Sequence, residues 1–269
     1  IVWRWLYAGA TLVLPKEDFY QSIGEVSHVS LVPTQLQRWF DYLAEHPQPI
    51  HTQAVLLGGT QIPVKLTQAL GELGIRSYSG YGMTEMASTV FAKQSDGKIG
   101  VGQPLFGREF KLVNEEVWLK GAGLAMGYCR DGDIVPLTNA EGWLQTKDKG
   151  QWLDDELVIR GRLDNMFISG GENIQPEEIE KVIAQSDLVK QVFVLPKYDE
   201  EFGQRPVAIV EFHTSFNESA VESLNVFLQG RLERFKQPVA YYELPLNLTD
   251  GAIKISRKTL AGWLAKQLG

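Results

Sequence analysis

The 269-residue sequence predicts an α/β protein with a mostly parallel sheet, a β-rich subdomain and a small α+β C-terminal domain. Apolar strand patterns alternate with helix patterns over residues 9–79. Short runs separated by glycine and turn residues fill residues 100–158, and a new series of helices and strands begins at residue 177. Alternating strands and helices are typical of crossover units, which place parallel strands side by side. We therefore expect a ligand at the carboxyl ends of the first strands.

The first region contains four strand patterns and three helix patterns. Each strand pattern is a short apolar run, and each helix pattern has apolar residues at helical spacing. Pro33 at a first helical position and Gly74 just after a helix are ordinary start and stop signals. The predicted strands are residues 9–14, 28–32, 54–57 and 75–79, and the predicted helices are 17–26, 34–44 and 64–73.

The rest of the chain divides into two further regions. Runs such as 109–113, 116–119 and 152–159 predict the β-rich subdomain. Beyond it, helices at 177–184, 219–232 and 256–267 and strands at 189–195 and 206–212 predict a compact α+β domain. We place the boundary between a large domain, 1–163, and a small mobile domain, 164–269, where a β-rich run gives way to a charged, glycine-containing joint.

Composition restricts the classes of partner. A net charge of -7 and a pI near 5.2 argue against nucleic acid or an anionic membrane surface. The single cysteine, Cys129, cannot form an intrachain disulfide, and the four histidines show no zinc-site spacing. No apolar run reaches the roughly 20 residues of a membrane span. We expect a soluble, cytoplasmic protein that binds small molecules.

Two glycine-rich segments predict a nucleotide site. Missing side chains let backbone N–H groups approach a planar base or a phosphate. Thr84 and Glu85 follow directly and offer a hydroxyl for phosphate and a carboxylate for Mg²⁺. Each feature alone is more often ordinary turn chemistry, but together they favour nucleotide binding. The segments are Gly58, Gly59 and Thr60 after the strand at 54–57, and Gly80, Tyr81 and Gly82 after the strand at 75–79.

These motifs resemble those of the adenylate-forming enzymes, a superfamily of acyl-CoA synthetases, luciferases and peptide-synthetase adenylation domains. Residues 81–85 resemble its adenylate-binding motif, and residues 58–60 resemble its adenine-pocket loop. The resemblance implies that Tyr81 stacks on adenine and that Thr84 and Glu85 serve phosphate and metal. It therefore implies ATP and Mg²⁺ as cofactors and an adenylate-forming fold.

Residues 142–150 resemble the ribose motif of the superfamily, which implies that Asp148 accepts the two ribose hydroxyls. From the residue alone, a turn cap is the simpler interpretation. Lys147 stands where the superfamily usually has glycine. Arg162 matches a second ribose contact, and Asp164 matches the hinge between the two domains.

Two further segments carry implied roles. The pair Gly170 and Gly171 matches a loop beside which the thiol of CoA enters, although a plain turn before a helix is the simpler interpretation. Residues 251–258 resemble the motif with the adenylation lysine, and the register implies Lys254. A cation at the α-phosphate stabilises developing charge. Here Ile253 replaces the usual glycine and Ser256 the usual aspartate, and from the residues alone Lys254 is one of several surface lysines.

Within the superfamily, residues 29–38, 84–89, 201–208 and 253–257 are together most similar to o-succinylbenzoate-CoA ligases of menaquinone biosynthesis. This implies ATP-dependent adenylation of o-succinylbenzoate and acyl transfer to CoA. The second carboxylate of that acid needs a cation or hydrogen-bond donors in the protein. Arg38, Ser88 and Thr89 are the candidates for this role. The alternative for Arg38 is an arginine that faces solvent. Another aryl or fatty acid, or a non-catalytic nucleotide-binding module, remains an open alternative.

The sequence also predicts that the chain is the C-terminal portion of a larger enzyme. It begins inside an apolar run at residues 1–7, and it lacks the lysine-containing loop with which the superfamily wraps the β- and γ-phosphates. We expect the small domain to fold and the chain to be inactive by itself. Apolar surface at residues 1–14 would favour association, so a homo-oligomer is an open outcome.

Overall fold

The computed structural model describes residues 2–15, 18–60, 62–245, 248 and 255–268. The chain forms two compact units. The first unit comprises residues 1–113, 118–146 and 151–159, and the second comprises 114–117, 147–150 and 160–269. Each unit has hydrophobic clusters of its own. The domain boundary expected between residues 163 and 164 stays a prediction.

A mixed five-stranded sheet is the centre of the first unit. The strands follow the order β1-β2-β3-β4-β5, with parallel pairing from β1 to β3 and antiparallel pairing from β3 to β5. The first three strands have the parallel arrangement that the strand and helix alternation predicts. The strands are β1 (His28–Leu31), β2 (Ala54–Leu57), β3 (Arg76–Met83), β4 (Ser88–Gln94) and β5 (Gln103–Pro104).

Four helices belong to the same unit. The last three lie within two residues of the predicted bounds, whereas the first, at residues 2–8, was not predicted. The Asp18 carboxylate accepts the Tyr20 and Gln21 N–H groups at the start of the second helix. The third helix begins at Pro33, and Gly74 lies just after the fourth helix with a φ of 73°. The helices are α1 (Val2–Ala8), α2 (Phe19–Glu25), α3 (Pro33–Glu45) and α4 (Val64–Glu72).

The core of the first unit lies between these helices and the parallel strands. Leu36 and Trp39 of α3, Val55 and Leu57 of β2 and Leu70 of α4 are fully buried in one cluster. Apolar spacing along α3 and α4 therefore corresponds to the buried face of each helix.

The prediction of a strand at residues 9–14 is wrong. Residues 10–15 have no regular secondary structure, and Val13 and Leu14 are exposed. An apolar run forms a strand only beside a partner strand. Within the described ranges β1 is an edge strand that pairs only with β2, so no strand runs beside it at residues 9–14.

The β-rich region contributes residues to both units. Its four-stranded sheet has the order β11-β10-β7-β6, and β8 and β9 form a separate hairpin. The prediction of a single strand at 152–159 is wrong, because Asp154 and Asp155 form a two-residue turn that divides this run between two strands. Their φ values are 48° and 63°. The strands are β6 (Arg108–Val113), β7 (Glu116–Gly121), β8 (Gly127–Arg130), β9 (Asp133–Pro136), β10 (Leu144–Leu153) and β11 (Glu156–Arg162).

The second unit packs helices on a three-stranded sheet of order β14-β15-β16. Its largest buried cluster includes Ile179, Val194, Val210 and Leu224. The helix expected at 219–232 ends earlier, at Leu228, two residues before a glycine with positive φ. The elements are β12 (Phe167–Ser169), β13 (Glu172–Ile174), α5 (Pro176–Ile183), β14 (Val189–Asp199), β15 (Gly203–Phe212), α6 (Glu218–Leu228), β16 (Tyr241–Glu243) and α7 (Arg257–Leu268).

In neither unit does a helix of the described residues combine the length and apolar character that crossing a bilayer requires.

Candidate functional site

Gly58 and Gly80 face each other where β2 ends. The parallel pairing of β2 with β3 stops at Leu57 and Ser79, one residue before each glycine. A Cβ atom on Gly58 would lie 3.2 Å from the carbonyl oxygen of Gly80, and a Cβ on Gly80 would lie 3.3 Å from Cγ2 of Thr89. Larger residues would crowd this point. The two glycines therefore permit a close approach of neighbouring strands at the carboxyl end of parallel strands, the edge at which ligands bind in open α/β sheets.

The turn after β2 continues through Gly59 and Thr60, and both residues are exposed. Gly59 has a φ of 84°, which L-residues rarely adopt, and a Cβ there would lie 3.2 Å from Cγ1 of Val32. Glycine is thus required by the turn itself, whatever ligand the turn receives.

Residues 80–82 do not follow a strand, as the sequence suggested, but lie within β3. This strand continues to Met83, with Gly80 opposite Ala92 and an irregularity between Tyr81 and Gly82. A Cβ on Gly82 would lie 2.6 Å from Cα of Thr89 and closer still to the carbonyl oxygen of Ser88. Glycine inside a strand marks a point where two backbone segments come close together. From the sequence alone, such a glycine cannot be distinguished from a glycine in a turn.

The same close approach brings Ser88 and Thr89 beside the glycines. Both residues begin β4 and are half-buried. The half-buried Tyr81 ring lies 6.1 Å, between centroids, from the buried ring of Phe91. An aromatic ring, two hydroxyls and the closely packed glycines are thus gathered at one end of the sheet.

Thr84 and Glu85 form a single 3₁₀ turn immediately after β3. Thr84 is exposed and Glu85 is half-buried. The Tyr128 hydroxyl donates to Oε1 of Glu85 at 2.5 Å, and the Ala125 N–H donates to the Glu85 carbonyl at 2.8 Å. Tyr128 is not predictable as a site residue from the sequence, because no pattern of nearby residues indicates a contact across 43 positions.

Glu85 and Thr84 are suited to part of a magnesium coordination shell. The described residues contain no group of three or more His, Cys, Asp or Glu side chains that could hold a metal ion by themselves. Mg²⁺ in nucleotide sites commonly takes one or two carboxylates, substrate phosphates and water. A single accessible carboxylate beside a hydroxyl fits that donor set, with phosphates completing it.

Arg38 lies on α3 and is half-buried. Among the residues with described placement, none forms a hydrogen bond or ion pair with its guanidinium. The structure therefore does not join Arg38 to Ser88 or Thr89, and its role in acid binding stays a prediction.

In the second unit, Arg162 contacts two of the predicted site residues at once. Its Nη1 lies 3.1 Å from Oδ1 of Asp148, and its Nε and Nη2 donate to the two carboxylate oxygens of Asp164 at 2.8 Å. Asp148 is buried, whereas Asp164 is exposed. The hydrogen bond from Arg162 is the main cause that holds the pKa of Asp164 below its ordinary value.

Lys147, which stands at a usual glycine position, adopts the backbone conformation that glycine favours. Its φ is 65°. The Lys147 N–H donates to Oε1 of Glu116 at 2.9 Å, and its carbonyl accepts the Leu163 N–H at 2.7 Å. The local backbone beside Asp148 is therefore fixed by hydrogen bonds despite the replacement of glycine.

Gly170 and Gly171 form the turn of the hairpin between β12 and β13, and the helix begins only after β13. Their φ values are 56° and 90°, as a two-residue hairpin turn of this hand requires. The Gly170 N–H donates to the carbonyl of Phe202 at 2.9 Å. The expectation of a glycine loop leading into a helix is corrected to an exposed hairpin tip.

Lys254 lies outside the described residues, as does Ile253. Three positions later, Arg257 forms a half-buried pair with Glu180 of α5. Its Nη2 lies 2.6 and 2.5 Å from the two carboxylate oxygens, and its Nη1 donates to the Val194 carbonyl. Burial raises the pKa of Glu180 to about 7, and the charge of Arg257 opposes that rise. Sequence reasoning missed this pair, whose members are 77 residues apart.

Two family models match the chain. The AMP-binding enzyme model matches residues 1–129, and the model of the AMP-binding enzyme C-terminal domain matches residues 178–269. The chain belongs to the AMP-binding enzyme family. The candidate residues for adenine, phosphate and metal lie within the first match, and the Glu180–Arg257 pair lies within the second.

Individual relatives within this family are also similar. The chain is 68% identical over 268 residues to the 2-succinylbenzoate–CoA ligase of Haemophilus influenzae, a match that covers 99% of the chain and 59% of the relative. A structure of an E. coli MenE variant with bound OSB-AMS has a TM-score of 0.89 and 49% identity, covering 99% and 57% of the two chains. MenE from Bacillus subtilis in complex with ATP and a magnesium ion has a TM-score of 0.73 and 27% identity, covering 90% and 54%. The chain thus spans less than three fifths of each relative's length.

Proposed function

We propose that the complete protein to which this chain belongs is an AMP-forming acid-CoA ligase that activates o-succinylbenzoate in menaquinone biosynthesis. The observation that carries the proposal is the 68% identity, over 99% of this chain, to a relative named 2-succinylbenzoate–CoA ligase. The retained candidate residues for nucleotide, metal and acid support the same activity. ATP and CoA are its co-substrates and Mg²⁺ is its metal. As these substrates and the single cysteine suggest, the protein acts in the cytoplasm.

The nucleotide occupies the end of the first unit's sheet in this proposal. Adenine lies on the Tyr81 ring, with the backbone at Gly58 and Gly80 along its edge. The Thr84 hydroxyl donates to a phosphate oxygen. Bound Mg²⁺, with Glu85 as a ligand, neutralises phosphate charge in the way such ions do for nucleotides.

Asp148 and Arg162 bind the ribose. A buried carboxylate can accept hydrogen bonds from both hydroxyls of a diol, and Arg162, 3.1 Å away, holds that carboxylate in place. A buried carboxylate also disfavours a nucleotide that lacks the hydroxyls, because the hydrogen bonds that those hydroxyls donate would then be lost.

The reaction proceeds in two steps. An oxygen of the acid's carboxylate bonds to the α-phosphorus of ATP while the bond to the bridging oxygen breaks and pyrophosphate leaves. Lys254 stabilises the charge that builds at the α-phosphate. The thiol of CoA then releases its proton to solvent as its sulfur bonds to the acyl carbon, and AMP leaves with the electron pair of the acyl–oxygen bond. Rotation about Asp164 separates the two steps and brings the Gly170–Gly171 turn beside the entering thiol.

The second carboxylate of o-succinylbenzoate is held by Arg38 and by the hydroxyls of Ser88 and Thr89. An arginine matches a carboxylate by two parallel hydrogen bonds, and hydroxyl donors add further specificity. This arrangement distinguishes the dicarboxylate from benzoate or a fatty acid, which leave the arginine unpaired.

AMP release by the complete gene product tests the proposal. The assay contains ATP, Mg²⁺ and CoA and compares o-succinylbenzoate with benzoate, a fatty acid and no acid. Release with o-succinylbenzoate alone supports both the activity and the substrate. Release with a different acid keeps the chemistry and rejects the substrate, and binding of nucleotide without release under any condition leaves a non-catalytic nucleotide-binding module.

A further inference from the structure

We propose that Tyr128 is a positioning residue for Glu85, whose carboxylate it orients toward the metal of the bound nucleotide. The inference rests on the proposed function, in which Glu85 contributes an oxygen to Mg²⁺. Neither the sequence motifs nor the family models single out Tyr128.

The contact between Tyr128 and Glu85 has the geometry of a charge-assisted hydrogen bond. The phenol oxygen lies 2.5 Å from Oε1 of Glu85, within the range for an O–H donor to a carboxylate. A carboxylate can only accept, so the phenol donates. With Oε1 held by the phenol, Oε2 of the same group is directed away from Tyr128 and can face a cation.

The backbone of Glu85 is held by the same segment. The Ala125 N–H donates to the Glu85 carbonyl at 2.8 Å, three residues before Tyr128. The 3₁₀ turn that carries Glu85 ends at Ala87, whose φ of 64° is unusual for a residue other than glycine. Main-chain and side-chain atoms of Glu85 are therefore fixed by one neighbouring segment.

That segment is part of a hairpin. Tyr128 pairs with Val135 in the β8–β9 hairpin. The turn at Asp131 and Gly132 has φ values of 51° and 90°, the conformation of a tight two-residue hairpin. A Cβ on Gly127 would collide with the Val135 carbonyl, so glycine permits the close pairing. Tyr128 thus lies in a paired strand rather than in an irregular loop.

Orientation matters here because, among the described residues, fewer than three acidic, histidine or cysteine side chains come together to serve the metal. The described part of the chain offers no cluster of three or more acidic, histidine or cysteine ligands, so the remaining positions belong to phosphates, hydroxyls and water. Hydrogen-bonded neighbours that fix a ligand's orientation commonly change metal affinity 10-fold or more when they are lost, so about 5- to 10-fold is expected for one exposed phenol.

Binding of Mn²⁺ to the complete gene product with α,β-methylene-ATP tests the inference without relying on turnover. Free Mn²⁺ is measured by electron paramagnetic resonance. We expect Tyr128→Phe to weaken Mn²⁺ binding about 5- to 10-fold and to leave the affinity for the nucleotide analogue in EDTA unchanged. The matched control is Tyr198→Phe, at a tyrosine that is 78% exposed, and it should equal the wild type.

A second variant, Glu85→Gln, shows whether Tyr128 acts through Glu85. Glu85→Gln should weaken Mn²⁺ binding, and adding Tyr128→Phe to it should have no further effect. If Glu85→Gln weakens binding but Tyr128→Phe does not, the inference fails and the metal role of Glu85 survives. If the two effects simply multiply, or if Tyr128→Phe alone abolishes analogue binding in EDTA, positioning through Glu85 is rejected. If Glu85→Gln changes nothing, the proposed metal site fails together with the inference.

Discussion

Arg162 donates hydrogen bonds from Nε and Nη2 to the two carboxylate oxygens of Asp164, both at 2.8 Å. The same guanidinium lies 3.1 Å from the buried carboxylate of Asp148. The candidate ribose ligand and the candidate hinge residue therefore share one cation. A change at Arg162 should affect both.

Arg162→Gln should remove the cause that lowers the pKa of Asp164. In the wild type this pKa lies below its ordinary value of 3.8, so the pair contributes stability above that value and loses it as the pH falls through the folded-state pKa. Urea unfolding of the complete protein should show Arg162→Gln less stable than the wild type at pH 6, with the gap closing toward pH 3. A gap that is unchanged over this range would show that the ion pair does not titrate as described.

Arg257→Met should leave the half-buried carboxyl group of Glu180 without its cation. Leaving such a group without its hydrogen-bond donor costs about 1–3 kcal/mol. The pKa of Glu180 is already raised to about 7 from 4.5, so its folding contribution is present at low pH and lost as the pH rises through 7. The variant should therefore lose stability more steeply than the wild type between pH 6 and pH 8.

The control for this change is Lys258→Met, at the neighbouring exposed position of α7. It removes a cation from the same helix and should stay within about 0.5 kcal/mol of the wild type in urea unfolding. Equal losses for both variants would show that the pairing of Arg257 with Glu180 contributes nothing specific.

Gly82→Ala should destabilise the complete protein by about 1–3 kcal/mol and weaken nucleotide binding. A Cβ there would lie 2.6 Å from Cα of Thr89, so β3 and β4 would have to separate beside the candidate adenine position. Thermal unfolding and AMP titration measure the two effects. Gly71→Ala is the matched change, since nothing lies within 4 Å of a Cβ at that helix position, and it should be neutral or slightly stabilising. Equal behaviour of the two variants would contradict the close approach at Gly82.

Arg38→Ala should raise the KM for o-succinylbenzoate at least 10-fold while changing the KM for ATP less than 2-fold. An unpaired second carboxylate in the acid pocket loses a charge-assisted hydrogen bond of about 1.5–3 kcal/mol. Steady-state kinetics of the complete protein measure both constants, with Arg231→Ala, a change at an arginine stacked on Phe227, as the control. Parallel increases in both KM values would remove Arg38 from the acid pocket.

Much of the fold follows from local sequence signals. Pro33 and the apolar spacing of α3 place that helix, and β2 is a plain apolar run between turn residues. Local sequence signals do not predict the structure correctly where one residue type occurs in two different kinds of structure. Glycine at 80 and 82 serves close strand packing, and Asp154 with Asp155 serves a hairpin turn inside what reads as one strand.

The candidate site is less accessible to sequence reasoning because its contacts join distant residues. The opposite charges of Arg162 and Asp164 are visible two positions apart, and the structure pairs them. In contrast, Tyr128 meets Glu85 only because the β8–β9 hairpin returns to the end of β3, and Arg257 meets Glu180 across 77 positions. No periodicity reports such contacts.

The most direct test of the central claim is exchange of labelled pyrophosphate into ATP by the complete gene product without CoA. This exchange occurs only if the protein reversibly adenylates the acid. We expect exchange with o-succinylbenzoate, none with benzoate or without acid, and none from a Lys254→Ala variant that still forms thioester from supplied acyl-adenylate. Absence of exchange with o-succinylbenzoate in the wild type, or exchange that needs no acid, would contradict the account.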